Sequence, residues 1–262
     1  MFGLFGKRKT PAGNASERLH LETQPAVIYA IGDIHGCLDK LKRLEALIVE
    51  DAAGIDGDKL IVTLGDYVDR GPSSSQTLNH LRGRAPEGFT RICLRGNHEV
   101  MFVSALEDPR ALSNWLDWGG RETLQSYGID AESFRAMSGK TRAQVLQSFI
   151  PSEHIEFLKS RPLLLTAGAF TFVHAGIRPN VALDQQRDED LLWIREPFLT
   201  QSHGLPTTVV HGHTPKDQPD IAPDRIGIDT GAYAGGPLTG VKILKSGEIA
   251  FLSSSMPNRP MA

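Results

Sequence analysis

Short apolar segments alternate with segments of helical periodicity over the first hundred residues. Residues 26–31, 59–64 and 91–94 are apolar, rich in β-branched side chains and followed by glycine-containing polar turns, a pattern typical of buried strands. Between them, leucines recur at the spacing of one helix face over residues 38–48, and a second helix is predicted over residues 73–84. This alternation predicts an α/β layout with a parallel sheet.

The pattern changes after the third predicted strand. Residues 101–160 combine leucines and aromatic residues at helix-like spacing with charged residues, which indicates a largely helical insertion with the aromatic side chains in its core. Short strands separated by glycine or proline are then predicted at 163–165, 170–173, 207–210, 225–228, 238–244 and 248–252. A parallel half followed by an antiparallel half predicts two mixed β-sheets packed face to face with helices outside.

The chain is long and apolar enough for one domain with a substantial core. It has 262 residues, of which 40% are hydrophobic. We expect the domain to span residues 25–253, with polar, flexible segments at 1–24 and 254–262. No apolar run approaches the roughly 20 residues that a membrane-spanning helix needs, so no stable membrane insertion is expected.

Charge and cysteine content exclude some classes of partner. The net charge is −3 and the isoelectric point about 6.3, which offers no bulk electrostatic attraction for nucleic acid. Cys37 and Cys93 have no CxxC spacing and do not suggest a disulfide scaffold, so a reducing cytoplasm is the expected compartment. Nothing in the sequence bears on the oligomeric state.

Polar side chains follow several of the predicted strands at the point where each strand ends. Because ligands of α/β sheets gather at the carboxyl ends of strands, these side chains are expected to meet. Carboxylates, an amide oxygen and imidazoles in this number exceed what one ion needs and suit two divalent cations that share a carboxylate, with Asp66 the natural bridge. The set is Asp33, His35, Asp66, Asn97, His98, His174 and His213.

Five short motifs carry these residues in order. They are GDIHG at 32–36, GDYVDRG at 65–71, GNHE at 96–99, HAG at 174–176 and HGHT at 211–214. The set closely resembles the phosphoprotein phosphatase branch of the calcineurin-like metallophosphoesterases, bacterial serine/threonine phosphatases in particular, and the resemblance covers about residues 27–252. It implies a four-layer α/β/β/α sandwich and a centre of two divalent metals, with manganese expected and iron, zinc or cobalt also compatible with the ligands.

The resemblance also implies roles for individual residues. One metal is expected on Asp33, His35 and Asp66, and the other on Asp66, Asn97, His174 and His213. A metal-bridging hydroxide attacks phosphorus directly, while His98, oriented by Asp69, protonates the leaving group as general acid. Arg70 and Arg195, together with Asn97, are expected to bind the substrate phosphate; for Arg195 a simple ion pair with Glu196 or Asp190 is the alternative.

The resemblance leaves the substrate open between two classes. The main expectation is hydrolysis of phosphomonoesters in a phosphoprotein or phosphopeptide, on phosphoserine or phosphothreonine and also on phosphotyrosine. The alternative is a dinucleoside polyphosphate hydrolase of the diadenosine tetraphosphatase type. Related bacterial enzymes of that type tend to lack the second aspartate of the GDYVDRG motif, here Asp69, which favours the main expectation.

Two further interpretations belong to other functional classes. Asp229-Thr230-Gly231 matches the signature of aspartic proteases, whose chemistry needs two such carboxylates. This interpretation leaves the five motifs unexplained, so Asp229 is interpreted as a residue of a turn at a strand end. An inactive relative that serves as a binding scaffold would have lost a ligand or the His98–Asp69 pair, and none of these residues is missing.

Overall fold

The computed structural model describes residues 17–108 and 110–255, which form two β-sheets with helices on their outer faces. The strands are β1 (Arg18–Leu21), β2 (Val27–Ile31), β3 (Lys59–Thr63), β4 (Phe89–Cys93), β5 (Leu164–Ala167), β6 (Phe170–Val173), β7 (Thr208–His211), β8 (Asp220–Ala222), β9 (Arg225–Gly227), β10 (Thr239–Leu244) and β11 (Ile249–Ser253). The helices outside the insertion are α1 (Leu38–Asp51), α2 (Ser74–Arg82) and, after six insertion helices described below, α9 (Asp188–Trp193).

The first sheet has the strand order β11-β10-β2-β3-β4. The strands β2, β3 and β4 are parallel, as predicted; β10 pairs antiparallel with β2, and β11 pairs antiparallel with β10. Every residue of β2 is buried, because both faces of the sheet are covered. Parallel pairing brings the carboxyl ends of β2, β3 and β4 to one edge.

The second sheet has the order β1-β5-β6-β7-β9-β8 and mixes parallel and antiparallel pairs. Its inner face packs on the inner face of the first sheet through a buried cluster that includes Ile28, Val62, Phe172 and Val210. Helices α1, α2 and the insertion cover the first sheet, and α9 packs on the second. The predicted sandwich of two mixed sheets flanked by helices is confirmed.

The predicted helical insertion consists of α3 to α8 with one π-helical turn. They are α3 (Asn97–Glu107), α4 (Leu112–Trp115), the π-helix Leu116–Gly120, α5 (Arg121–Ser126), α6 (Ala131–Ala136), α7 (Gly139–Phe149) and α8 (Ser152–Lys159). Trp115 and Phe134 are core residues, as expected. The expectation was wrong for Trp118 and Phe149, which are 43% and 50% exposed. In the described part of the chain, no helix combines the length and apolarity that crossing a membrane requires.

The expected flexible segments needed correction at both ends. Within residues 1–24, Arg18–Leu21 form β1, which pairs in parallel with β5 and buries Leu21. Arg18 also forms a salt bridge of 3.1 Å with Asp188, which fixes this edge strand against α9. At the other end, Ser254 is buried and exchanges hydrogen bonds of 2.9 Å with the backbone of Leu238. Residues 1–16 and 256–262 lie outside the described part of the chain.

Candidate metal centre

The seven side chains predicted at strand ends converge on one site between the two sheets. Asp33 and His35 follow β2, Asp66 follows β3, Asn97 and His98 open α3 after β4, and His174 and His213 follow β6 and β7. Each of the seven is at least 93% buried. The carboxyl ends of strands in both sheets therefore position these polar side chains at a single buried site.

Asp66 lies at the centre of this group. Its Oδ2 is 3.4 Å from His35 Nε2 and 3.9 Å from His98 Nε2, and its Oδ1 is 3.4 Å from His174 Nε2. Two sets of ligand atoms lie within 4.8 Å of one another, one from His35, Asp66 and His98 and one from Asp66, His174 and His213. One carboxylate thus belongs to two groups that could each hold a cation.

Asp33 was expected in the first group, but the ligand atoms that cluster there come from His35, Asp66 and His98. Its two carboxylate oxygens accept the backbone N–H of His213 at 3.1 and 3.0 Å. Burial raises the pKa of Asp33 well above its usual range, and the negative charges of Asp229 and Asp66 add to the effect. Carboxylates gathered in this way are stable as anions only beside a positive charge.

Asp229 is a residue of this site that the sequence analysis placed in an ordinary turn. It is 5% exposed and lies beside Asp33, and burial raises its pKa. Its Oδ1 also accepts the N–H of Gly231 at 3.0 Å, which closes the turn. A polar side chain just after a strand, the pattern that identified the other residues, also marks Asp229, which follows the end of β9.

The hydrogen-bond pattern around Asn97 indicates that a cation fits there. His174 Nδ1 donates to the carbonyl of Leu64 at 3.0 Å, so its Nε2 presents a lone pair to Asn97 Oδ1 at 2.7 Å. His213 Nδ1 is 3.0 Å from the same oxygen, while its buried Nε2 has no partner among the described residues. Burial lowers the pKa of His174 to about 3 and that of His213 to about 2, so both rings are neutral near pH 7. Such electron-pair donors converge favourably only around a positive charge.

Arg70 supplies positive charge on the other side of Asp66. His35 Nδ1 donates to the carbonyl of Val68 at 2.8 Å, and Arg70 Nη1 donates to His35 Nε2 at 3.1 Å. The guanidinium also lies 4.6 Å from the ring centroid of Tyr233. The predicted phosphate-binding arginine therefore points into the site.

The backbone adopts left-handed conformations at five of the residues that build the site. Non-glycine residues in this region cost about 1–3 kcal/mol each and persist where the surroundings hold them. The residues, with their φ angles, are His35 at 44°, Asp66 at 51°, Asp69 at 71°, Arg70 at 69° and His213 at 66°. The left-handed residues in these turns thus direct side chains that are close in sequence toward the same site.

Glu99, the last residue of the GNHE motif, holds one of these turns. Its carboxylate accepts the backbone N–H groups of Asp66 at 2.7 Å, Tyr67 at 2.8 Å and Gly96 at 2.8 Å. Burial raises its pKa to about 7, against the lowering effect of these hydrogen bonds. The sequence analysis gave Glu99 no role; it positions Asp66.

His98 and Asp69 form the predicted pair. His98 Nδ1 lies 2.8 Å from Asp69 Oδ2, and Asp69 also accepts hydrogen bonds from Trp115 Nε1 at 3.0 Å and Thr123 Oγ1 at 2.7 Å. Burial lowers the pKa of His98 to about 3, with a contribution from the charge of Arg70. Burial raises the pKa of Asp69 to about 8, opposed by the bonds from Thr123 and Trp115. Trp115 and Thr123 belong to the insertion, and their role here was not predicted.

A pocket of about 100 Å³ opens onto the centre. Arg195 lines it and is not in a salt bridge with any described residue: Asp190 pairs with Arg178, and Glu196 accepts from Thr200, so the expected alternative is absent. The exposed Trp118 and Tyr233 stand at its rim. The full lining is Asp66, Arg70, Asn97, His98, Trp118, Arg195, His213, Pro215 and Tyr233.

Comparison with known proteins identifies the family. The family described as calcineurin-like phosphoesterase matches residues 26–248, so the chain belongs to this family and is a metal-dependent phosphoesterase. The protein-phosphatase type expected from the motifs is not confirmed by this match.

Relatives of both substrate classes are similar to the chain. The symmetrical bis(5′-nucleosyl)-tetraphosphatase of Methylococcus capsulatus is 28% identical, covering 90% of this chain and 72% of the relative. The asymmetrical bis(5′-nucleosyl)-tetraphosphatase PrpE of Bacillus velezensis is 27% identical, covering 87% and 92%. Serine/threonine-protein phosphatase 1 of Salmonella typhimurium is 30% identical, covering 82% and 91%.

Solved structures share the fold. A structure described as a proposed diadenosine tetraphosphatase superposes with a TM-score of 0.65 at 20% identity, covering 91% of this chain and 98% of the other. A cold-active protein tyrosine phosphatase superposes with a TM-score of 0.57 at 17% identity, covering 96% and 89%.

The close approach of Gly212 to Asp33 yields a testable prediction. A Cβ on Gly212 would overlap Asp33 Oδ1, whereas a Cβ on Gly139, in α7, would meet nothing within 4 Å. We expect Gly212→Ala to displace Asp33 and lower the metal bound per chain, measured by inductively coupled plasma mass spectrometry after dialysis. Gly139→Ala is the control and should bind metal as the wild type does. Equal metal content in the two variants would show that Asp33 is not needed at the centre.

Proposed function

We propose that the chain hydrolyses dinucleoside polyphosphates of the bis(5′-nucleosyl) tetraphosphate kind. The observation that carries this proposal is the pocket itself, where two arginines and an exposed indole adjoin the metal centre. Relatives named as bis(5′-nucleosyl)-tetraphosphatases support the same substrate class. The motifs alone favoured a phosphoprotein substrate, but the pocket and the relatives support a dinucleoside polyphosphate.

The two arginines suit a polyphosphate chain. Arg70 and Arg195 both line the pocket, and planar guanidinium groups bind phosphate oxygens in a bidentate manner. In the described residues, neither forms a salt bridge with a carboxylate. One nitrogen of Arg70 donates to His35 Nε2, and its other N–H groups are proposed to bind substrate. A substrate with several adjacent phosphates uses more than one cationic group at once.

The aromatic rim suits a nucleobase. Trp118 packs edge-on against Trp193, with ring centroids 6.4 Å apart, and its ring lies 6.5 Å from that of His98. Because 43% of Trp118 remains exposed, its indole offers a free surface close to the leaving-group side of the site. A purine can stack on such a surface, and a phosphoserine side chain has no ring to do so.

The metal ligands are proposed as the resemblance implies. One cation would be held by Asp33, His35 and Asp66, and the other by Asp66, Asn97, His174 and His213. When bound, such a pair neutralises phosphoryl charge and lowers the pKa of water enough to supply the nucleophile. Manganese is the proposed metal, and this mixture of carboxylate, amide and imidazole ligands also accepts iron, zinc or cobalt.

His98 is proposed to protonate the leaving phosphate oxygen. Without substrate, burial and the charge of Arg70 keep its imidazole neutral. The negative charge of a bound polyphosphate favours the protonated form, and Asp69 keeps Nδ1 bonded so that Nε2 faces the pocket. Trp115 and Thr123 fix Asp69 and thereby the orientation of the ring.

Protein phosphatase activity is the second candidate. The observation in its favour is the buried and fully hydrogen-bonded Asp69, together with the Salmonella relative. The ring surface of Trp118 would then contact a phosphotyrosine rather than a nucleobase.

The direct test compares substrates on protein loaded with Mn²⁺. We expect a higher kcat/KM on diadenosine tetraphosphate than on matched phosphoserine, phosphothreonine and phosphotyrosine peptides. Chromatography of the products distinguishes two molecules of ADP from AMP with ATP. A higher kcat/KM on any of the peptides would contradict the proposed substrate class and favour the second candidate.

Replacement of the proposed general acid gives a second prediction. His98→Asn should lower kcat by about 10²–10⁴-fold, the usual contribution of a general acid. The loss should be greater on phenyl phosphate than on p-nitrophenyl phosphate, because phenolate is the more basic leaving group. Circular dichroism checks the fold of the variant. An equal loss on both substrates would contradict an acid role.

Replacement of the rim tryptophan gives a third prediction. Trp118→Ala should raise KM for diadenosine tetraphosphate by about 5–150-fold, since base stacking contributes ~1–3 kcal/mol. KM for a phosphoserine peptide should change little. Phe149→Ala removes an equally exposed aromatic residue of the insertion that does not line the pocket and serves as the control. The stacking role is refuted if both variants keep the wild-type KM for the dinucleotide.

A further inference from the structure

A second cavity, separate from the metal centre, is lined by three arginines. It has a volume of about 350 Å³ and lies between the end of α2, the edge strand β4 and the end of α8. Arg82, Arg91 and Arg161 line it together with the ring of Phe157. It shares no lining residue with the pocket at the metal centre.

The positive charge in this cavity is only partly compensated. Arg91 Nη2 pairs with Glu45 at 2.6 Å, and the same carboxylate accepts from His80 at 2.5 Å. Within residues 17–108 and 110–255, neither Arg82 nor Arg161 forms a salt bridge. Of the three guanidinium groups, only that of Arg91 is therefore paired with a carboxylate in the described residues, which leaves a net positive charge around the cavity.

Arg161 is held in place without a carboxylate. Its Nε donates to the carbonyl of Phe157 at 2.8 Å, its Nη2 donates to Ser160 Oγ at 2.8 Å, and its guanidinium lies 4.3 Å from the Phe157 ring centroid. Arg91 is also fixed, since its side chain is 4% exposed, its Nη1 donates to the carbonyls of His80 and Leu81 at 3.3 Å and its Nη2 pairs with Glu45. Its buried Nε has no hydrogen-bond partner in the described residues. Guanidinium groups fixed in this way lose little entropy when they bind an anion.

We propose that this cavity binds the phosphate group of a small molecule. Planar, positioned guanidinium groups match phosphate oxygens, and the volume is within the range of small-ligand pockets and exceeds the needs of a single phosphate ion. The phosphate can come from free inorganic phosphate or from a nucleotide. The site does not depend on the substrate proposed for the metal centre.

The test is equilibrium dialysis of Mn²⁺-loaded protein with radiolabelled phosphate and, in a second arm, with AMP. The double variant Arg82→Gln/Arg161→Gln should bind at this site about tenfold or more weakly, because hydrogen bonds to charged groups are lost. Arg84→Gln, an exposed arginine outside the cavity, is the control and should bind as the wild type does. The double variant should keep the wild-type kcat/KM at low phosphate.

A second double variant distinguishes anion binding in the cavity from anion binding at the metal centre. Arg70→Gln/Arg195→Gln should retain one bound anion per chain, held in the cavity. Tighter binding of AMP than of phosphate identifies a nucleotide as the ligand, and equal binding identifies the phosphate group alone. If the double variant of the cavity does not fold, Arg82→Gln alone, at an exposed side chain, is used instead. Wild-type affinity and stoichiometry in the cavity variant, or loss of all binding in Arg70→Gln/Arg195→Gln, would overturn the proposal.

Discussion

The centre depends on the hydrogen bonds that the Glu99 carboxylate accepts from the backbone at Asp66, Tyr67 and Gly96. These bonds join the end of β3 to the start of α3. They hold Asp66 at a φ of 51°, a conformation that would otherwise cost about 1–3 kcal/mol. Asp66 is the carboxylate shared by both candidate ligand groups. A change in the backbone conformation of this turn would therefore disturb both groups. The buried Glu99 carboxylate, in the first turn of α3, therefore offsets the cost of the strained turn.

The helical insertion does more than cover the sheet. Trp115 and Thr123 bind the Asp69 carboxylate, and the carbonyl of Gly119 accepts the N–H of Arg70 at 3.0 Å. The same segment carries Trp118 at the rim of the pocket. Residues of the insertion thus hold the proposed acid–base pair and the backbone of Arg70, the proposed phosphate-binding arginine. They also line the pocket in which the leaving group is proposed to lie. The insertion thus contacts both the proposed acid–base pair and the proposed substrate pocket.

Much of the fold and most of the candidate site could be predicted, because the signal was local. An apolar strand followed by glycine and a polar side chain is visible in a few residues, and parallel pairing brings such ends together. The strand β1 was missed because its four residues acquire their character only by pairing with β5, far along the chain. Trp115 and Trp118 could not be told apart in the sequence, since burial of one and exposure of the other depend on the π-helical turn that begins after Trp115 and contains Trp118. The substrate could not be predicted from the motifs for the same reason: the pocket beside the centre is also lined by Trp118 of the insertion and by rim residues such as Arg195 and Tyr233.

We propose that one buried carboxylate, Asp66, joins two cation sites. Anomalous diffraction from a crystal of the Mn²⁺-loaded protein, recorded near the manganese absorption edge, locates the metal ions. We expect two anomalous peaks, both within coordination distance of Asp66, one beside His35 and the other beside His174. A single peak, or peaks that do not contact Asp66, would refute the shared carboxylate.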